Sequence, residues 1–197
     1  MSATHQATPQ PRSKIVGLGG SLRAGSLSAA ALRAGMAMAA ELGLDCETLD
    51  VRELQLPMYR PDWALADYPA EHQASLQRLV AAFRSADAML WTCPAYHGAM
   101  SGVFKNALDF MQLLARDPRP YLQGCAVGLV SLSDSSPLGG MANCVQELRA
   151  WLAPTRLTLD DGDFDDALAL RDEAAQRRLR RLMGELAGFV ASRPLTR

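Results

Sequence analysis

The sequence predicts an α/β domain, a three-layer, doubly wound parallel sheet of five strands flanked by helices. Short apolar runs alternate with longer segments of helical period, the pattern of successive βαβ units. Three strand-to-helix junctions concentrate Gly, Ser and Pro, as ligand loops at one end of such a sheet do. The 197 residues, 49% of them hydrophobic, suit one domain with a sizeable core.

Residues 14–19 (KIVGLG) make the first strand, 27–42 the first helix and 45–50 the second strand. A proline-containing loop, 51–69, leads to a second helix at 71–85. The most apolar run, 88–92, is the third strand, and a third helix starts near 102 and continues to 115. A fourth strand at 125–132, a fourth helix at 141–152, a fifth strand at 155–159 and a closing helix at 173–192 complete the series. Five strands alternating with five helices match the flavodoxin-like sheet, strand order 2-1-3-4-5. No repeat or linker interrupts 14–192. Residues 1–13, polar and with two prolines, read as a disordered arm, and 193–197 as a short tail.

Bulk properties narrow the function. A net charge of -1 gives no electrostatic case for nucleic acid or a membrane surface. No apolar run approaches the roughly 18 residues needed to span a bilayer, and no signal peptide is visible, so the expectation is a cytoplasmic protein. Cys46, Cys93, Cys125 and Cys144 form no CxxC pair and read as buried or semi-buried thiols. His5, His72 and His97 have no i, i+3 or i, i+4 partner, so no metal site is expected.

Ligands of such a sheet sit beyond the carboxyl ends of its strands, where strand order reverses. The loop after the first strand, 20–26 (GSLRAGS), joins a strand to a helix N-terminus, where free N–H groups and the helix dipole favour an anion. Its serines and Arg23 complete a phosphate cradle. A GxGxxG turn fails at Leu22, a Walker loop lacks its lysine after Gly25, and a GxSxG elbow fails at Arg23. An ordinary turn with Ser26 as helix cap explains Ser26 but not the arginine or the other serine. The loop after the third strand, 93–101 (CPAYHGAMS), carries Tyr96 and His97 among small residues. A flavin ring needs such an apolar surface with N–H donors near it. A histidine there is more often a solvated loop residue than a catalyst. In the next helix Val103, Phe104, Ala107, Leu108 and Met111 share a packing face, leaving Lys105, Asn106 and Asp109 toward solvent or a neighbouring subunit.

Gly20-Ser-Leu-Arg-x-x-Ser26, Leu56-Pro-Met-Tyr-Arg-Pro-Asp62, Pro94-x-Tyr-His-Gly98 and Ser101-Gly-Val-Phe-Lys-Asn-Ala-Leu-Asp109 follow one another in this chain. As a set they resemble the NADPH-dependent FMN reductase family, over roughly residues 14 to 190. The resemblance implies that Ser21, Arg23, Ser26 and Ser28, with Leu27 beside them, bind the FMN phosphate. It implies that Pro94, Ala95, Tyr96, His97 and Gly98 line the ribityl chain and isoalloxazine, with Ser133 contributed by the loop after the fourth strand. Two departures stand out. Position 28 often carries asparagine in the family, and loop 133–140 is polar with a proline where relatives are commonly glycine-rich.

The implied activity is hydride transfer from NADPH or NADH to bound FMN and on to a small-molecule electron acceptor such as free flavin, a quinone, an azo dye or chromate. No catalytic side chain is obligatory for it. Similarity to sulfonate-utilisation reductases around 96–108 implies a partner monooxygenase as one consumer of reduced flavin. The apolar residues of loop 51–69 lead us to expect a homodimer or homotetramer. The competing reading is a flavodoxin-type electron carrier without its own NAD(P)H turnover. Such carriers usually present a strongly acidic docking surface, which a net charge of -1 does not match. A regulatory domain that lost the cofactor is disfavoured by the intact Ser21, Arg23 and Ser26.

Overall fold

The structure, a computed structural model, describes residues 13–192. The expected arm, Ser13 apart, and the expected tail lie outside the described residues. Six strands are formed, β1 (Lys14–Gly19), β2 (Asp45–Asp50), β3 (Ala88–Tyr96), β4 (Ala99–Met100), β5 (Ala126–Leu132) and β6 (Trp151–Leu159). The helices are α1 (Leu27–Glu41), α2 (Val51–Leu54), α3 (Ala70–Ser85), α4 (Gly102–Asp109), α5 (Ser136–Glu147) and α6 (Glu173–Ala191). The long strands pair in parallel in the order β2-β1-β3-β5-β6, and two-residue β4 turns back antiparallel on β3. The expected flavodoxin-like sheet is therefore present, with β5 and β6 as its fourth and fifth main strands.

Helices cover both faces, which is why the central strands are apolar almost without alternation. All seven residues of β5 are buried, as are the first six of β3. One core half gathers Phe83, Trp91, Phe104 and Phe110, with Trp91 edge-on to Phe104 at 5.8 Å between centroids. The other half packs α1 and α6 through Ile15, Leu32, Leu90 and Leu182. Gly128 permits that approach, because a Cβ there would stand 2.9 Å from Leu182 Cδ1.

The structure departs from the sequence-based expectations in several places. The third strand runs on to Tyr96 because β4 pairs with it, through a two-residue turn at His97 (φ 51) and Gly98 (φ 79). Positive φ at both central residues is what lets so short a turn follow strand twist. The helix expected at 141–152 spans Ser136–Glu147. Pro137 sits in its first turn, where a missing N–H breaks no helical bond. The last strand accordingly begins at Trp151, and it tolerates Pro154 because β6 is an edge. The third helix is α-helical to Asp109 and tightens to 3₁₀ over Phe110–Leu114.

Asn106 does not face solvent: it is 7% exposed, accepts the Tyr59 N–H at 2.8 Å and donates to the Pro57 carbonyl at 2.9 Å. It pins the middle of loop 51–69, whose apolar residues are mostly covered within the chain. Leu54 and Tyr68 are buried, while Leu56, Tyr59 and Trp63 lean on the core and Met58 alone is largely exposed. Cys93 and Cys125 are buried and Cys144 is partly so, whereas Cys46 is exposed on the edge strand β2.

Candidate functional site

Parallel register brings the carboxyl ends of the strands side by side. Gly19 lies beside Asp50 and Thr92, Pro94 beside Leu132, and Leu132 beside Leu159. Above that rim the loops enclose a cavity of about 390 Å³, lined by Ser21, Arg23, Ser26, Leu27, Ser28, Pro94, Ala95, Tyr96 and Ser133 among the expected residues. His97 and Gly98 occupy the tip of the β3–β4 turn, exposed and outside this lining.

The end of the cavity at α1 is built by contiguous residues. The Gly20 N–H donates to the Thr92 carbonyl at 2.9 Å, holding the loop against β3. Gly25, at φ 63, reverses the chain into α1, a conformation that side chains with a Cβ rarely take. Ser26 caps α1, its Oγ accepting the Ala29 N–H at 3.1 Å and lying 3.2 Å from Ser28 Oγ. Thr92 Oγ1 donates to the Ser28 carbonyl at 2.9 Å. Ser21, Ser26 and Ser28 are all buried polar residues. The first turn of α1 carries no acidic residue, and its leading N–H groups lack acceptors within the helix. Arg23 is exposed above them and makes no ion pair among the described residues. The arrangement suits one anion.

The opposite end is assembled from distant segments. Pro94 and Ala95 offer a flat, half-buried strand surface with Tyr96, 50% exposed, at its edge. Ser133, at φ 76, donates its N–H to the Leu159 carbonyl at 2.8 Å and reaches the cavity, whereas 134–140 turn away into α5. Asp161 and Leu168, from the segment after β6, close the side. Next to it a recess of about 420 Å³ is lined by Leu22, Met58, Tyr96, Val103 and Asn106. Leu22, Met58 and Tyr96 are three of the five large exposed hydrophobics among the described residues, so the exposed apolar surface concentrates here.

Ser101 ties the two ends together. Its Oγ donates to the Gly20 carbonyl at 2.5 Å and accepts the Phe104 N–H at 3.3 Å as cap of α4, while its own N–H lies 3.3 Å from Cys93 Sγ. Burial pushes the Cys93 thiol up, outweighing the Ser101 contacts that favour thiolate, so it is a neutral packing group. Sequence reading missed Ser101, Asn106, Leu22, Asp161 and Leu168 as site-builders. The first two stood inside the Ser101–Asp109 motif, but nothing local marked Asp161 or Leu168.

FMN fits this geometry. It needs one phosphate cradle and a flat apolar floor a short span away, and the buried serines at the α1 terminus and the Pro94–Tyr96 surface supply them.

Comparison with known proteins agrees. The family model described as NADPH-dependent FMN reductase matches residues 13–164. An FMN-dependent NADPH-azoreductase of Staphylococcus saprophyticus is 32% identical over 160 residues, covering 78% of this chain and 82% of that protein. The protein of the same description from Staphylococcus aureus is 33% identical over 115 residues, 56% of this chain and 60% of its own length. Among solved structures, the flavoenzyme NAD(P)H:(acceptor) oxidoreductase FerB of Paracoccus denitrificans superposes with a TM-score of 0.70 at 19% identity, covering 92% of this chain and 98% of that one. An apo NADH:FMN oxidoreductase, EMOB, gives 0.68 at 18% identity with 94% of each chain covered. No helix among the described residues is long and apolar enough to cross a membrane. The chain belongs to the NADPH-dependent FMN reductase family and is an NAD(P)H-dependent flavin oxidoreductase that uses FMN as cofactor and NADPH as donor.

Proposed function

We propose that residues 14–192 form one FMN-binding reductase domain in which Ser21, Arg23, Ser26, Leu27 and Ser28 hold the phosphate and Pro94, Ala95, Tyr96 and Ser133 hold the ribityl chain and ring. The observation that carries this is the single cavity that joins an acid-free helix N-terminus, ringed by buried serines, to the Pro94–Tyr96 surface. His97 and Gly98 act at one remove, by making the tight turn that fixes Tyr96.

When bound, FMN supplies the chemistry, taking hydride from the nicotinamide and passing electrons to the acceptor. The chain's own work is to bind and orient. The α1 amides and Arg23 neutralise the phosphate. Pro94 and Ala95 floor the ring, and Ser101 holds the floor at a set distance from the cradle. Tyr96 is the sole aromatic of the flavin loops and covers at most one face, which leaves the other open to nicotinamide and acceptor in turn.

The recess beside Tyr96, with Leu22, Met58 and Val103, suits a flat apolar acceptor, and the azoreductase relatives support an azo compound or quinone. We place the protein in the cytoplasm and expect a homodimer or homotetramer joined through this exposed apolar region. A partner monooxygenase drawing on reduced flavin is a further consumer consistent with an exchangeable FMN.

Purified protein reconstituted with FMN should release FMN, not FAD, on heating. Anaerobic NADPH should rapidly abolish its visible flavin absorbance. Bleaching by dithionite but by neither NADPH nor NADH would favour the electron-carrier reading. Light scattering should report a dimer or tetramer, and a monomer at high micromolar concentration would remove the assembly from the proposal.

A further inference from the structure

A second recess, of about 340 Å³, opens on the β2 side of the phosphate cradle. It shares Ser21, Arg23, Ser26 and Ser28 with the flavin cavity, then runs on past Arg33 of α1 to Thr48 and Asp50 of β2 and Arg52 of α2. FMN, with one phosphate, leaves this extension unassigned. We infer that it is the subsite for the 2′-phosphate end of NADPH, and that Arg33 and Arg52 select the phosphorylated donor. This rests on the reading that 21–28 hold the FMN phosphate and Pro94–Tyr96 the ring.

The first support is charge. Arg23, Arg33 and Arg52 surround one recess, and none makes an ion pair among the described residues, although Asp50 and Glu53 line the same space. Other arginines, such as Arg60 and Arg116, also lack an ion pair among the described residues, so what marks these three is that they line one recess. The Asp50 carboxylate is engaged, accepting the Arg52 N–H at 2.9 Å as cap of α2. A phosphate monoester is read by guanidinium groups that can donate two hydrogen bonds to it, and a carboxylate left free beside it would repel it. Asp50 is committed to capping α2, and three arginines outnumber the two carboxylates around the recess, so on balance it favours an anion.

The second support is order along the rim. β2, β1 and β3 are consecutive in the sheet, so the recess, the cradle and the ring floor lie in a line about 10 Å long, two strand spacings. A donor whose nicotinamide met the ring floor and whose chain followed this line would present its nucleotide end to Arg33 and Arg52.

The test titrates FMN-reconstituted protein calorimetrically with adenosine 2′,5′-bisphosphate and with adenosine 5′-monophosphate, for wild type and the Arg33→Ala/Arg52→Ala double variant. Both arginines are exposed, so the variant keeps its core. The wild type should prefer the bisphosphate, and the variant should lose roughly 10- to 100-fold of that preference, the range for a lost charge-assisted hydrogen bond. The ratio of kcat/KM for NADPH over NADH should fall in step, while the FMN Kd stays within about twofold. Equal wild-type affinity for the two adenosine phosphates, or a preference that survives in the variant, overturns the inference and leaves the FMN cradle standing. FMN affinity falling as far as bisphosphate affinity also overturns it, since the recess would then serve the cofactor's own phosphate. FAD binding more tightly than FMN, with that advantage lost in the variant, reassigns the recess to an FAD adenylate. A wild type that prefers the bisphosphate yet binds no FMN refutes the cradle and supports the recess.

Discussion

The two ends of the proposed flavin cavity are built in different ways. The proposed phosphate end is one stretch of eight residues, Ser21 to Ser28, with local hydrogen bonds around Ser21, Ser26 and Ser28 and one long-range tie, from Thr92 Oγ1 to the Ser28 carbonyl. The ring end collects residues from β3, the β5 terminus and the segment after β6, and relies on bonds that cross long sequence distances, Ser101 to Gly20 over 81 residues and Asn106 to Pro57 over 49. A local motif keeps its shape when distant packing loosens. An assembled surface does not, so the same perturbation should injure ring binding before phosphate binding.

The strongest way to break this contrast is Phe104→Ala. Phe104 is fully buried, edge-on to Trp91, and so close to the loop after β1 that a Cβ on Gly20 would stand 2.7 Å from its ring. Truncation should cost about 3–5 kcal/mol of stability. Denaturant melts measure that cost, and in the surviving fold riboflavin affinity should fall further than affinity for inorganic phosphate. A larger loss for phosphate would invert the comparison.

Arg23→Ala probes the phosphate end alone. It should weaken FMN by about 1.5–3 kcal/mol and scarcely change riboflavin, because only FMN presents the anion. Fluorescence titration with both flavins decides it, and equal losses would place Arg23 elsewhere.

Asn106→Ala probes the ring end at a distance. Removing it strands the Tyr59 N–H and the Pro57 carbonyl, at a cost of about 1–3 kcal/mol. Loop 56–59, and Met58 with it, should then loosen. The expected readout is a raised KM for an apolar acceptor with an FMN Kd close to wild type. An FMN Kd that rises as much as that KM would mean the clamp serves the cofactor instead.

The smallest effect is remote from both ends. Although partial burial acts to raise it, the Glu185 pKa is held below its ordinary 4.5 by the Thr155 hydroxyl and N–H and by Arg181. A lowered folded-state pKa stabilises the fold above the ordinary value, and that contribution disappears as pH falls through the folded value. Glu185→Ala should therefore cost about 0.5–1.5 kcal/mol at pH 7 and progressively less as pH drops below 4.5. Thermal melts at pH 7 and pH 3.5 give the comparison, and cofactor affinity at pH 7 should not move.

The sequence by itself determined the alternation of strands and helices and the parallel order, and it marked 20–28 as the loop we propose for the phosphate, because each is written in local period and local chemistry. Ser26 as cap and the serine-arginine cluster are readable wherever they occur. Sequence also displayed the Tyr96–Gly98 and Ser101–Asp109 motifs, yet not their uses. That His97 and Gly98 form a turn outside the cavity depends on β4 pairing with β3, and that Asn106 points inward depends on where loop 51–69 lands. The start of α5 is not legible locally, because Pro137, Gly139 and Gly140 look like loop residues until Pro137 is placed in a helix's first turn. Asp161, Leu168 and the arginine-lined recess beside β2 were decided only by tertiary structure. A parallel sheet gathers at one rim residues separated by most of the chain, and no local pattern records which of them meet there.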